Sequence, residues 1–491
     1  MSESTASFRA ARWLAVAIFA LAPLVAAAQW STDPSDNLVI ADRSGEQVQP
    51  KIAPTPDGGF YISWFDDSSG GYDVYLQRLD ADGNELWPHN GILVAARDFS
   101  STQDYGLDVD ADGNALLAFR YNDANDVPQA LAQMVAPDGT LLWGDPGVFV
   151  SADPGGASAP HVAALDDGTV AVGWSASDGS AVVQKLDGDG NILWAPGGIV
   201  FTPSAGFNIL SDLHGDADGN VIASWVAQPS FSDHELWAQK LAALDGAPLW
   251  GTDPVKVYDG NGGALQFGYF PPFLADGAGG AVFVWYDIAG TSGEVRAQHV
   301  GADGTPAFPQ NGVLASTNTT RNHFEPSGAY DADSGNTYVV WRETDSTQSH
   351  FGVYAQAIDS GGNRLWTDSG QQLVALGTLD QSEMVALPAP DGMLAAWASG
   401  DAPAAMPIQV ARINADGTLA WTGGTVAITT EPTDAARLVG AISTDGYAAY
   451  AWTRNAMSFA GDVVAQDISY DGILGPPAPP NDLIFADGFD D

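Results

Sequence analysis

The sequence predicts an all-β protein folded as an eight-bladed β-propeller, with four antiparallel strands to a blade. Three observations predict it. A unit of four strand-like runs recurs along most of the chain, aromatic residues hold two fixed slots in that unit, and Gly-containing turns separate the runs. The first slot ends an apolar run soon after a Gly turn. It holds Trp64, Phe119, Trp174, Trp225, Trp285, Trp341, Trp397 and Trp452, spaced 51 to 60 residues apart, which suits one four-stranded blade per repeat. The second slot follows a later Gly by four residues and holds Trp87, Trp143, Trp194, Trp250, Phe308, Trp366 and Trp421.

In the first unit the runs are "PKIAPT", "FYISWFD", "YDVYLQRLD" and "ELWPHNGILVA". Short runs joined by Asp-Gly, Asn-Gly and Gly-Gly turns read as hairpins, because Gly supplies the positive φ a tight turn needs. A Gln recurs on the third run, at Gln77, Gln133, Gln184, Gln239, Gln298, Gln356 and Gln466, with Arg412 in the seventh unit. A buried amide must satisfy both ends, so these are expected to hydrogen-bond to a neighbouring strand or blade. In the eighth unit the second slot falls on Pro476. The missing piece stands at the other end, where "QWSTDPSDNLVIA" (29–41) resembles the segment after Trp87. Trp30 therefore completes the second slot, and residues 29–42 complete the last blade, leaving no free edge between first and last blades. The aromatic rings are expected to fill the wedges between radially packed sheets. A right-handed parallel β-helix and two stacked smaller propellers are the rival folds. The hairpin turns and the unbroken register disfavour them.

Of the 491 residues, 45% are apolar, and 17 Lys plus Arg face 61 Asp plus Glu for a net charge of −44. That sign repels phosphate backbones and anionic lipids, so nucleic acid is not an expected partner. With no cysteine there are no disulfides and no thiolate metal sites. Residues 1–28 read as a signal peptide. Arg9 and Arg12 precede the apolar stretch 13–26, and Ala26-Ala27-Ala28 forms a small-residue cleavage site. No later segment is apolar enough to cross a bilayer. The protein is expected to be secreted, on the cell surface or in the periplasm. The propeller spans 29–475, a Pro-rich linker 476–480, and an acidic tail 481–491.

The segment "GGFYISWFDDSSGGYDVYLQRLDADGNELWPHNGILVA" (58–95) resembles the tandem units of a group of bacterial exported repeat proteins. The resemblance covers about 29–475 and implies a propeller on an exported or surface protein, with no enzymatic activity. The tail "NDLIFADGFDD" resembles an ending common on exported gammaproteobacterial proteins and implies a sorting or attachment signal. "LDADGNELW" also resembles the docking motif of quinoprotein dehydrogenases. Here Asp80 stands one residue too close to Gly83, the motif's Thr is missing, and the adjacent cysteine pair of many such enzymes cannot exist.

Chemistry is sparsely marked. Asp108, Asp110 and Asp112 alternate before Gly113, an oxygen-rich spacing that suits calcium, although position twelve of a full loop is Phe119. Calcium is the one cofactor candidate. "SDLHGDAD" (211–218) reads as a polar first strand near the central channel, and no catalytic histidine motif or nucleophile elbow occurs. Binding is better supported. Long connections on a rigid scaffold commonly carry function, and the longest, "YDGNGGALQFGYFPPF" (258–273), offers Phe267, Tyr269, Phe270 and Phe273. "RNHFEP" adds His323 and Phe324, and "PSFSDHELW" adds His234. Aromatics beside amides and carboxylates suit sugar stacking or peptide capture. The expected role is a binding or surface-interaction module for a carbohydrate or an extracellular protein. The alternatives are a polysaccharide hydrolase or lyase using loop carboxylates, and a structural surface or matrix component.

Overall fold

The computed structural model describes residues 29–97, 99–260, 263–401 and 405–476. The predicted signal segment, the tail, and the linker beyond Pro476 lie outside the described residues. Blade 1 consists of strands Gln47–Pro54, Phe60–Asp66, Asp73–Leu79 and Ile92–Ala95, paired antiparallel in that order. Six further four-stranded sheets repeat the pattern over 106–149, 157–201, 207–258, 273–314, 321–377 and 380–429. Blade 8 takes three strands from the C-terminal end, Ala435–Ile442, Tyr447–Arg454 and Asp462–Ser469. Its fourth is Leu38–Ala41, which pairs antiparallel with the third through Leu38 opposite Ala465 and Val39 opposite Val464. The predicted eight-bladed ring with its exchanged strand is what the chain forms. The fourth strand is shorter than the sequence run suggests. In blade 1 it begins at Ile92, and Glu85–Gly91 form the turn that carries Trp87.

The core is divided into eight clusters, each between two consecutive blades. Each second strand feeds both of its neighbours, so Phe60, Ile62 and Trp64 pack toward blade 8 and Tyr61 and Phe65 toward blade 2. Burial on both faces explains why these strands read as near-continuous apolar runs. The first-slot aromatics are all within 3% of full burial.

The second-slot aromatic ties each blade to the next. Trp30 Nε1 donates to the Ala81 carbonyl of blade 1, Trp143 to Gly188, Trp194 to Ala243, Trp250 to Ala302, Trp366 to Ala415 and Trp421 to Tyr470, all at 2.9–3.2 Å. Each ring lies against the Gly of that same turn. A Cβ on Gly83 would stand 2.7 Å from the Trp30 ring, and one on Gly304 2.6 Å from Trp250. Both glycines have positive φ, 82° and 81°. Trp87 and Phe308 occupy the slot in the same way, against Gly139 and Gly362, but without the hydrogen bond. The recurrent Gln braces this clasp from within its own blade. Its amide donates to the carbonyl just past the slot, as in Gln184 to Ala195 (3.0 Å) and Gln356 to Thr367 (2.8 Å), and in several blades its carbonyl accepts the slot residue's N–H. Gln466 does the same across the chain ends by donating to the Ser31 carbonyl.

Ring closure adds buried polar contacts. Asn37 Nδ2 donates to the Ile428 carbonyl and to Gln466 Oε1, and Thr430 N–H donates to the Pro34 carbonyl. Asp467 is 1% exposed and accepts from Gln466 Nε2 and the Gly475 N–H. Burial pushes its carboxyl up to about 7.

Two predictions concern closure. Removing residues 29–42 strips Trp30, the fourth strand and these hydrogen bonds from blade 8, so thermal unfolding of the truncated chain should fall well below that of the intact chain. The second concerns pH. A carboxyl raised from 3.8 to about 7 on folding stabilises nothing below pH 4, where both states hold the proton. It costs stability increasingly as pH rises from about 4 to about 7, because the folded state then keeps a proton the unfolded chain releases. Asp467→Asn, which keeps the acceptor and removes the charge, should leave stability at pH 4 unchanged. At pH 8 it should raise stability by up to about 4 kcal/mol, measured by denaturant titration at both pH values.

Candidate functional site

The first strand of every blade is an inner edge, bonded on one side only and facing the central channel. An edge strand tolerates an extra residue and a proline, and these strands use both. Their register with the second strand slips between Val48 and Lys51, Ser158 and His161, Leu210 and Asp212, Phe324 and Ser327, Ser382 and Val385, and Ala436 and Val439. In five of these bulges a residue other than Gly has left-handed backbone: Gln49, Ala159, Glu325, Glu383 and Arg437, at φ 44–59°. Pro50, Pro160 and Pro326 follow three of them directly. Each such residue costs about 1 kcal/mol or more. The bulge re-aims the side chains around it, and here that puts polar groups into the channel.

On the side of blades 1 to 4, polar groups from bulged inner strands and from the unbulged inner edge of blade 2 form one chain. Lys51 Nζ lies 2.7 Å from Asp104. His161 stands 3.9 Å from Asp104 and 3.8 Å from Asp212. His214 Nε2 lies 3.2 Å from Asp212 Oδ2 and 3.0 Å from the Phe273 carbonyl. Asp108, beside them, accepts the Ala164 N–H of blade 3 at 2.8 Å. Burial would lower the His214 imidazole, but the Asp212 carboxylate outweighs it and holds His214 up at about 9, protonated at neutral pH. Burial raises Asp108 above the usual carboxylate range. For Asp104, burial is outweighed by the Lys51 and His161 charges and the carboxyl falls to about 2. The Asp104 side chain is 54% exposed although protein surrounds it. Both hold for a group that lines the open central channel, where solvent access weakens the burial penalty.

On the face carrying the long connections, a cleft of about 650 Å³ opens between blades 5 and 6. Tyr286, Phe324 and Phe351 supply apolar surface; Gln266, Glu325 and Arg342 supply polar groups. The Arg342 guanidinium lies over the Phe351 ring, 4.5 Å from its centroid, and is paired with Glu325 at 3.3 Å and with Asp380. Tyr286 donates its hydroxyl to Gln266 Oε1. Glu325 joins the two regions, since it belongs to a bulged inner strand and also lines the cleft.

The structure sorts the residues expected from sequence. Phe324 lines the cleft. Phe267, 64% exposed, pairs with Phe231 on the next loop at 5.7 Å between ring centroids, forming an open aromatic platform beside Gln266. Tyr269 turns inward against Tyr286 (4.4 Å) and Phe270 packs on the cluster between blades 4 and 5, so both pin the long loop. Phe273, His234 and His323 are corrections. They are 2%, 2% and 0% exposed, inside the blade interfaces, and contribute packing rather than ligand contact. His234 is held by the Leu265 carbonyl at 2.7 Å, and His323 lies edge-on to Trp341. Asp108, Asp110 and Asp112 do not converge. Asp108 faces the channel, whereas Asp110 closes its own turn by accepting the Asp112 and Asn114 N–H groups. No group of three metal-ligating side chains forms among the described residues. The sequence reading missed Arg342, Tyr286 and Phe351, which sit in ordinary strand positions, and did not nominate Lys51, Asp104 and His161. The one available signal was proline inside a strand-like run, which marks the bulges.

No family model and no curated protein matches this chain. Among solved structures it is similar to the propeller of Dos1, at 13% identity over 88% of this chain and 95% of that one, with a TM-score of 0.44. It is similar to an ulvan lyase, a polysaccharide lyase bound to a saccharide, at 11% identity over 91% and 97% with a TM-score of 0.41. It is also similar to an alpha-L-arabinanase of Penicillium chrysogenum complexed with arabinobiose, at 12% identity over 75% and 93% with a TM-score of 0.38. At this level the likenesses assign no role to any residue here.

The channel chemistry is testable by titration. Asp212→Asn should lower the His214 pKa from about 9 by at least about one unit, read from the imidazole resonances in an NMR pH titration.

Proposed function

We propose that the protein is an exported, non-catalytic binding module that holds a carbohydrate in the cleft between blades 5 and 6. The observation that supports this most is the cleft's make-up. Three aromatic rings and a set of amide, carboxylate and guanidinium groups meet in one opening of about 650 Å³. A sugar ring needs both, an apolar face to stack on and fixed polar groups for its hydroxyls. The Phe231–Phe267 platform extends the surface for further sugar units. Arg342 is already paired with two carboxylates, and the chain carries −44, so a neutral glycan suits the site better than a polyanion. The signal-like N-terminus supports export, and the ending after the Pro-rich linker supports attachment at the cell surface.

The channel favours a second reading, catalysis on a polysaccharide. His214, protonated at neutral pH, and Asp108, its carboxyl raised by burial, face the same polar channel, and perturbed titratable groups facing one channel mark acid–base candidates.

A glycan array probed with the chain from Gln29 onward, with and without calcium, separates the readings. Saturable binding to a neutral glycan should weaken at least about tenfold in Phe351→Ala and in Gln266→Ala and stay unchanged in His214→Gln. Cleavage of the bound glycan that His214→Gln abolishes would favour the catalytic reading. Silence in both conditions would point to a protein partner.

A further inference from the structure

A second cavity, about 450 Å³, lies between blades 3 and 4, beside the outermost strand of blade 3, Ile199–Phe201. Its aromatic walls are Phe201, stacked on Trp225 at 4.2 Å between centroids, and Trp237. Trp237 stands outside both aromatic slots of the repeat. At the same third-strand position, two residues before the recurrent Gln, blades 1 and 6 carry Tyr75 and Tyr354. Those tyrosines stack on their own first-slot rings, Trp64 at 6.0 Å and Trp341 at 6.2 Å.

The turn that leads into the fourth strand differs between blades. In blades 1, 5 and 6 a glycine four residues after the second slot leads into the fourth strand. Gly91, Gly312 and Gly370 each close a tight turn by donating to Pro88, Pro309 and Thr367. Their backbone lies so close to the first-slot indole that an added Cβ would come within 2.8, 2.9 and 2.5 Å of it. Blade 4 has Pro254 at that position. Proline has no N–H to close that turn, and in blade 4 both Trp225 and Pro254 line the cavity, whereas in blade 8 Pro34 holds the same place and Trp452 stays sealed at 1% exposure.

The polar chemistry of the site is internally balanced. Glu235, the one ionisable residue in the wall, accepts the Trp237 indole N–H on Oε2 at 2.8 Å. Its Oε1 pairs with Lys256 at 2.8 Å, and Lys256 lies 4.6 Å over the Trp237 ring. Both carboxylate oxygens are engaged, so the cavity offers indole and phenyl faces without a net charge to match. We propose that this cavity is a second ligand site, separate from the carbohydrate cleft, and that it takes a small uncharged aromatic molecule.

The test uses the chain from Gln29 onward and the uncharged dye N-phenyl-1-naphthylamine, whose fluorescence rises on apolar burial. The wild type should bind it saturably, one dye per chain. Val200→Trp and Ala205→Trp, which plug the opening from two sides, should each weaken binding at least about tenfold. Thermal unfolding of each variant confirms folding, and the half-exposed position of Val200 makes that substitution the safest. Glycan binding at the cleft should stay unchanged throughout, so failure of one site is readable apart from failure of the other. Absence of saturable dye binding, or binding retained in both plugged variants, would overturn the proposal.

Discussion

The structure depends on one contact made eight times, an aromatic ring from each blade seated against a glycine turn of the next. In six of the eight an indole N–H also reaches a backbone carbonyl of that turn. A single hydrogen bond of this kind contributes about 0.5–1.5 kcal/mol. The geometry matters more than the sum. The turn carries a residue with positive φ and no side chain, and in seven of the eight a Cβ there would crowd the ring, Gly139 being the looser exception. Aromatic and glycine are therefore two halves of one constraint, and the repeat retains both.

Such a ring works only if the contact closes on itself. Trp30 against Gly83 is the eighth clasp, formed by residues from the start of the chain inserted into a blade made from its end. Asn37, Gln466 and the Ser31 carbonyl secure the exchange in the interior. The buried Asp467 sits at this seam and makes closure sensitive to pH in a direction opposite to the common surface carboxylate.

With the blades fixed from outside, the inner strands are free to be irregular. They bond on one side only, so a bulge there removes little pairing while turning side chains toward the channel. Five left-handed residues other than glycine occupy these bulges, a local cost that the surrounding sheets absorb. The cleft between blades 5 and 6 has a related origin. Connections carrying Gln266, Gly290–Thr291 and Gln348 meet the bulged first strand of blade 6 above the interface of blades 5 and 6. The cavity between blades 3 and 4 lies where Phe201, Trp225 and Trp237 of two adjacent blades face one another.

The sequence by itself determined the blade count, the strand order within each blade, the aromatic core and the exchange that closes the ring. These rest on local rules. Glycine is needed where φ is positive, strands buried on both faces read as unbroken apolar runs, and a repeated unit repeats its contacts. The tertiary structure alone decided which side chains line the cleft and the channel. Alternation along a strand separates two faces without saying which is the channel, and each bulge reverses the alternation partway along, as between Ser158 and His161. His323 and Phe324 are adjacent in sequence, yet one is sealed under Trp341 and the other lines the cleft. Lys51, Asp104, His161 and Asp212 come from four blades and lie near one another only because the ring is closed. The spacing that places them is set by how sheets pack around an axis, which no short stretch of sequence encodes.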